Sequence, residues 1–164
     1  MPKTDKIVIN TGPILALIAG LGDLTILESL YKQVVVPYEV CEEVKAGGLA
    51  DFGVHEFNDA DFLTKLDKQI IIQPHLQNSL DLGESAVIQT ALDKNIQTVC
   101  IDEAVGRRIA RLNGLKITCS LGIMIRAKKE GHSIMLRKAI DKMQKKGIRL
   151  SERIIGFALK EAGE

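Results

Sequence analysis

The sequence predicts an α/β protein, a three-layer α/β/α sandwich built around a mostly parallel sheet of four to five strands. Three observations carry this. Apolar runs of three to five residues recur along the chain, too short for helices and suited to strands buried on both faces. Longer stretches with apolar residues three and four apart lie between them, so strands and helices alternate as in right-handed βαβ units. No repeat, low-complexity segment or long linker breaks this order, and 164 residues suit one domain with a single core.

Lys6–Ile9 (KIVI) reads as the first buried strand. Asn10 and Thr11-Gly12-Pro13 then turn the chain into a helix, Ile14–Ala19, closed by Gly20 and Gly22. Asp23 is placed to cap a second helix through Leu30. Gln33–Val36 is the second strand, and Pro37 opens the helix PYEVCEEVKAGG, which ends on two glycines. Residues 49–68 are polar and mixed, reading as an irregular connection or a short helix around Asp59–Asp67. Gln69–Gln73 (QIIIQ) reads as the third strand, near an edge because Pro74 follows. A helix over Glu84–Asp93, a strand at Gln97–Ile101, a helix over Asp102–Leu112 and a brief strand at Lys116–Thr118 come next. Three helices remain, about Ser120–Lys129, Ser133–Lys146 and Ser151–Ala162, with Ser133 and Ser151 as N-caps. Residues 120–164 therefore read as a helical extension packed on a single domain that spans 1–164.

Composition removes several function classes. Aromatics make up 4% and Trp is absent, which disfavours a platform of base-stacking rings. The longest apolar run, IVINTGPILALIAGLG, is broken by Gly12 and Pro13 and too polar to span a bilayer. No charged leader with a cleavage site is visible, so the expected location is cytoplasmic. Cys41, Cys100 and Cys119 are far apart and odd in number, and His55, His75 and His132 are equally scattered. Neither a disulfide framework nor a zinc pattern follows from them. The formal charge of +1 conceals a split: residues 1–103 hold 7 Lys/Arg and 16 Asp/Glu, whereas residues 104–164 hold 15 and 5. Folding could set a basic rim around an acidic pocket and draw in a polyanion; amphipathic helices carrying solvated lysines give the same count.

The acids are the informative part. In an open parallel sheet, ligands gather at the carboxyl ends of the strands. Asn10, Glu43, Glu84 and Asp102 fall where strands meet helices or on the helix beside them. Carboxylates brought together there repel, and a cation between them keeps them ionised. Mg²⁺ or Mn²⁺ suits such hard oxygen ligands. Capping and the helix dipole account for Glu84 and Asp102 taken singly about as well. Arg107 and Arg111 share a helix face at i, i+4, suiting them to phosphate contacts or to a solvated face.

Four segments in order, IVINTGPILAL, VVVPYEVCEEV, LDLGESAVIQTAL and VCIDEAVGRRIARLNGLKIT, resemble the successive motifs of PIN-domain nucleases, the fold of VapC-type toxins. The text from SLGIMIRAKKEGHSIML onward resembles a branch with an extra C-terminal helical tail. The resemblance implies a metal-dependent ribonuclease that hydrolyses RNA phosphodiester bonds, acting as the toxin of a toxin–antitoxin pair. It places the metal-binding and catalytic set at Asn10, Glu43 (with Glu42 as the alternative), Glu84 and Asp102. The implied cofactor is Mg²⁺ or Mn²⁺, and Thr11 matches the hydroxyl residue that follows the first acid. Thr11, Arg107 and Arg111 are the candidate RNA contacts. The implied partners are RNA, an antitoxin protein and a second copy in a homodimer.

Asn10 departs from the pattern, which has an acid there. One charge facing a divalent ion at ~4 Å is worth roughly 8 kcal/mol as an upper bound, so weaker metal binding or a catalytically weak or inactive RNA- or protein-binding relative is the alternative outcome. Asp81 and Glu103 are near enough in sequence to supply a substitute charge, with capping or solvation as their other roles.

Overall fold

The computed structural model describes residues 3–164, except for the side chain of Leu49. Strands β1 (Thr4–Ile9), β2 (Tyr31–Val36), β3 (Thr64–Lys65), β4 (Thr98–Cys100) and β5 (Lys116–Thr118) form one sheet in the order β3-β2-β1-β4-β5, every pair parallel. The chain builds outward from β1 to β3, then crosses back to add β4 and β5 on the other side. Right-handed crossovers running in opposite directions lay their helices on opposite faces, which makes the sandwich. Ile7, Val8, Ile9, Val34, Val35, Val36, Val99 and Cys100 are no more than 1% exposed. Covered on both faces, these strands have no polar side to show, hence the unbroken apolar runs. The two edge strands are short, leaving little unpaired backbone for another chain to extend.

The helices are α1 (Thr11–Leu21), α2 (Thr25–Leu30), α3 (Tyr38–Ala46), α4 (Val54–Asp59), α5 (Pro74–Gln77), α6 (Leu82–Lys94), α7 (Ala104–Leu112), α8 (Ser120–Lys129), α9 (Leu136–Lys145) and α10 (Glu152–Glu161). α1 runs past Gly20, where the sequence suggests a stop, and ends at Gly22 with φ 92°. Gly20 is buried because α9 crosses it. A Cβ there would stand 2.9 Å from Met124 Cε and 3.3 Å from both Cβ and O of Ala139. Its glycine serves close helix approach rather than termination.

The third strand is not QIIIQ. Residues 69–73 are irregular and Ile71 is 92% exposed. Their backbone donors are taken by side chains instead: Ile70 N–H donates to Glu39 Oε2 at 3.0 Å and Gln73 N–H to Gln89 Oε1 at 3.0 Å. The sheet edge is filled by Thr64 and Lys65, paired with Val35 and Val36. No helix covers Asp59–Asp67; α4 ends where that helix was expected to begin.

In the tail, α8 and α9 pack on α1, and α10 packs on α8 and α9. Ser151 caps α10 as expected, accepting from Ile154 N–H at 3.2 Å. Ser133 does not cap α9, which starts at Leu136. Glu164 does that work from a distance: its carboxylate accepts from the N–H groups of Leu136 (2.6 Å) and Arg137 (3.0 Å) and from Lys128 Nζ (2.6 Å). The Lys128 bond foremost, with the two backbone donors, holds its pKa down at about 2.

Candidate active site

The order of strands reverses at β1 and β4, and the crevice outside their carboxyl ends is the usual ligand position in such a sheet. Asn10 leaves β1 there and Asp102 follows β4. Asn10 is the N-cap residue of α1, yet its side chain makes no capping bond. Its backbone is fully used, the N–H donating to Cys100 O at 3.1 Å and the carbonyl accepting from Ile14 N–H at 3.3 Å. The side-chain Oδ1 is buried with no hydrogen-bond partner, as is Oγ1 of Thr11 beside it. The two residues are 7% and 8% exposed. An unmet buried acceptor costs about 1–3 kcal/mol, so two adjacent ones mark a place arranged for something other than stability.

What faces Asn10 is the start of α6. A Cβ placed on Gly83 would lie 3.1 Å from Asn10 Oδ1, 3.6 Å from Glu43 Oε2 and 3.7 Å from Asp81 Oδ1. Three oxygens from three separate elements thus surround one small space. Glu43 reaches it from α3, whose inward side chains Val40, Cys41 and Val44 turn Glu43 outward. Glu42 is exposed on the same helix. Asp81 is the N-cap of α6, its Oδ1 accepting from Glu84 N–H at 2.9 Å.

Glu84 points elsewhere, toward α7. Its Oε1 would be 2.9 Å from a Cβ on Gly106, so the absence of a side chain there makes room for the carboxyl. Glu84 is 6% exposed. Burial, and then the negative charges of Asp81 and Glu103, push its pKa up to about 7. Asp102 is held by the tail: Oδ1 accepts from Ser120 N–H at 2.8 Å and Oδ2 from Ser120 Oγ at 2.9 Å. Burial raises its pKa despite these bonds and the positive charge of Arg107.

Asn10, Glu43 and Asp81 therefore meet at Gly83. Asp81 joins them to the start of α6 through the Glu84 N–H, and the charge of Glu103 acts on both Glu84 and Asp102. Among the described residues, no group of three or more His, Cys, Asp or Glu side chains is arranged to hold a metal ion. The donors at the crevice are nonetheless all hard oxygens, with the unpartnered Asn10 Oδ1 among them, and this chemistry fits a hydrated Mg²⁺ or Mn²⁺. Of the cationic residues expected to meet RNA, Arg107 is half-buried and donates to the Asp102 carbonyl, whereas Arg111 is exposed. Ser120, Gly83 and Gly106 went unread in the sequence as site residues. Only the glycines left a signal, since Gly is unfavourable inside a helix unless something must come close.

Among the described residues, no helix is long and apolar enough to cross a membrane. No curated protein and no solved structure matches the chain. A family model described as a PIN domain matches residues 6–164. PIN domains are generally nucleases and usually use divalent metals. The parallel sheet, the acids at its carboxyl edge and a match running almost end to end agree: the chain belongs to the PIN-domain family.

Proposed function

We propose that this protein is a divalent-metal-dependent endoribonuclease, the VapC-like toxin of a toxin–antitoxin pair. The observation that carries the reading is the buried, unpartnered oxygen of Asn10 set against Glu43 and Asp81 at the carboxyl edge of a PIN-type sheet. Asn10, Glu43, Glu84 and Asp102 would hold Mg²⁺ or Mn²⁺, whose charge would stabilise the scissile phosphate and activate a water. Ser120 keeps Asp102 oriented through two hydrogen bonds. Arg111 is free to meet phosphates, while Arg107 braces the loop that carries Asp102. Two Cβ-free positions, Gly83 and Gly106, leave the carboxylates their space.

The test is cleavage of single-stranded RNA with added Mg²⁺ or Mn²⁺. Cleavage is expected to stop with EDTA and to fall by at least about 10²-fold in Asp102→Asn. Robust cutting by that variant, free of contaminating nuclease, overturns the assignment. An antitoxin that covers the crevice and a homodimer belong to the same reading, and sedimentation of the purified chain checks the second.

A different reading rests on the amide at position 10: a PIN-type module that binds RNA or protein without cutting. It expects RNA binding indifferent to EDTA and no turnover.

A further inference from the structure

We propose that Asp81 supplies the negative charge that position 10 lacks, so that Asn10 Oδ1, Glu43 and Asp81 form a single oxygen cradle for a divalent cation over Gly83. This deepens the nuclease reading and rests on it for the nature of the ion.

The geometry is specific. Asn10 Oδ1 is buried and unpartnered, and its side chain forgoes the capping bond its position offers. A Cβ on Gly83 would have Asn10 Oδ1 at 3.1 Å, Glu43 Oε2 at 3.6 Å and Asp81 Oδ1 at 3.7 Å as its nearest neighbours. Glu43, on α3, and Asp81, the N-cap of α6, are exposed residues from different elements. Asp81 Oδ1, the oxygen that borders this space, also accepts from the Glu84 N–H; a carboxylate oxygen has lone pairs for a second partner. Gly83 is the second residue of α6, where nearly any other residue favours the helix more. A methyl group there would fill the space the three oxygens share. Asp81 lies outside the four-residue set that the motifs identify. Its carboxylate restores a negative charge to the Asn10 side of the crevice, from a different element.

Mn²⁺ binding to the full chain, followed by calorimetry and by the rise in Tm on adding metal, tests this without reference to catalysis. Asp81→Ser keeps a capping oxygen at the start of α6 and removes the charge. It is expected to weaken Mn²⁺ roughly tenfold or more, while Asn10→Asp strengthens it by a similar factor and the double variant returns toward wild type. Gly83→Ala is expected to keep or raise the metal-free Tm and to lose most of the metal-induced gain. Wild-type Mn²⁺ affinity in Asp81→Ser or in Gly83→Ala overturns the cradle. If Asp102→Asn alone abolishes binding in that case, the nuclease reading stands without it. If neither wild type nor Asn10→Asp binds Mn²⁺, both fall. An Asn10 amide turned so that its NH₂ donates to the two carboxylates gives that last result.

Discussion

Glu84 shows how a single side chain ties the site to the fold. Its carboxyl is buried beside Asp81 and near Glu103, and its pKa rises from 4.5 to about 7. Between those values the folded chain keeps a proton that the unfolded chain has released, so stability falls as pH rises through the window. The full shift corresponds to about 3 kcal/mol, and solvent at the rim reduces it to about 1–2 kcal/mol. Metal-free protein in EDTA is expected to melt at lower temperature at pH 7.5 than at pH 5, and Glu84→Gln to flatten that slope. Asp102, also raised by burial, adds in the same direction. A Tm independent of pH across this range in wild type would contradict the burial argument. At this scale the sequence locates acids on elements but does not identify what surrounds them. Spacing places Glu84 and Asp102 at helix starts; it does not reveal that Ser120, eighteen residues on, takes both oxygens of Asp102.

Elements were legible where apolar periodicity and terminators agreed. α8 spans the expected Ser120–Lys129, and β1, β2, β4 and β5 sit within a few residues of the KIVI, QVVV, QTVCI and KIT runs. QIIIQ failed because three adjacent isoleucines say nothing about which backbone donors remain free, and Glu39 and Gln89 had claimed two of them. The actual edge strand, Thr64–Lys65, is too short and polar to register as a run. Gly20 failed in the opposite sense, a terminator by type that proved to be a contact surface by position. Gly20→Val is expected to cost about 1–3 kcal/mol through overpacking against Ala139. Urea denaturation measures it. A variant as stable as wild type would mean that α9 can give way, and that the tail docks more loosely than its packing on α1 suggests.

At the scale of the molecule, the charge split becomes a surface. Arg108 and Arg111 on α7, Arg137, Lys138 and Lys142 on α9 and Lys146 just after it are exposed, while Glu43, Asp81 and Glu84 stand at the crevice. RNA affinity is therefore expected to fall steeply between 50 and 200 mM salt, and Arg111→Ala to reduce the slope by about 0.7 per lost phosphate contact on a single strand. Filter binding across a salt series checks this. A larger change in Lys142→Glu than in Arg111→Ala would move the RNA track onto the tail.

The pairing of Ser120 with Asp102 has a further consequence for how the protein comes into being. A nascent chain leaving the ribosome exposes its carboxylates early, but the helix whose first residue aims Asp102 emerges only afterwards, followed by the segments that hold that helix in place. During synthesis the protein thus carries its acids before they are held in place, and the final orientation of Asp102 arrives only with the segment from Ser120 onward.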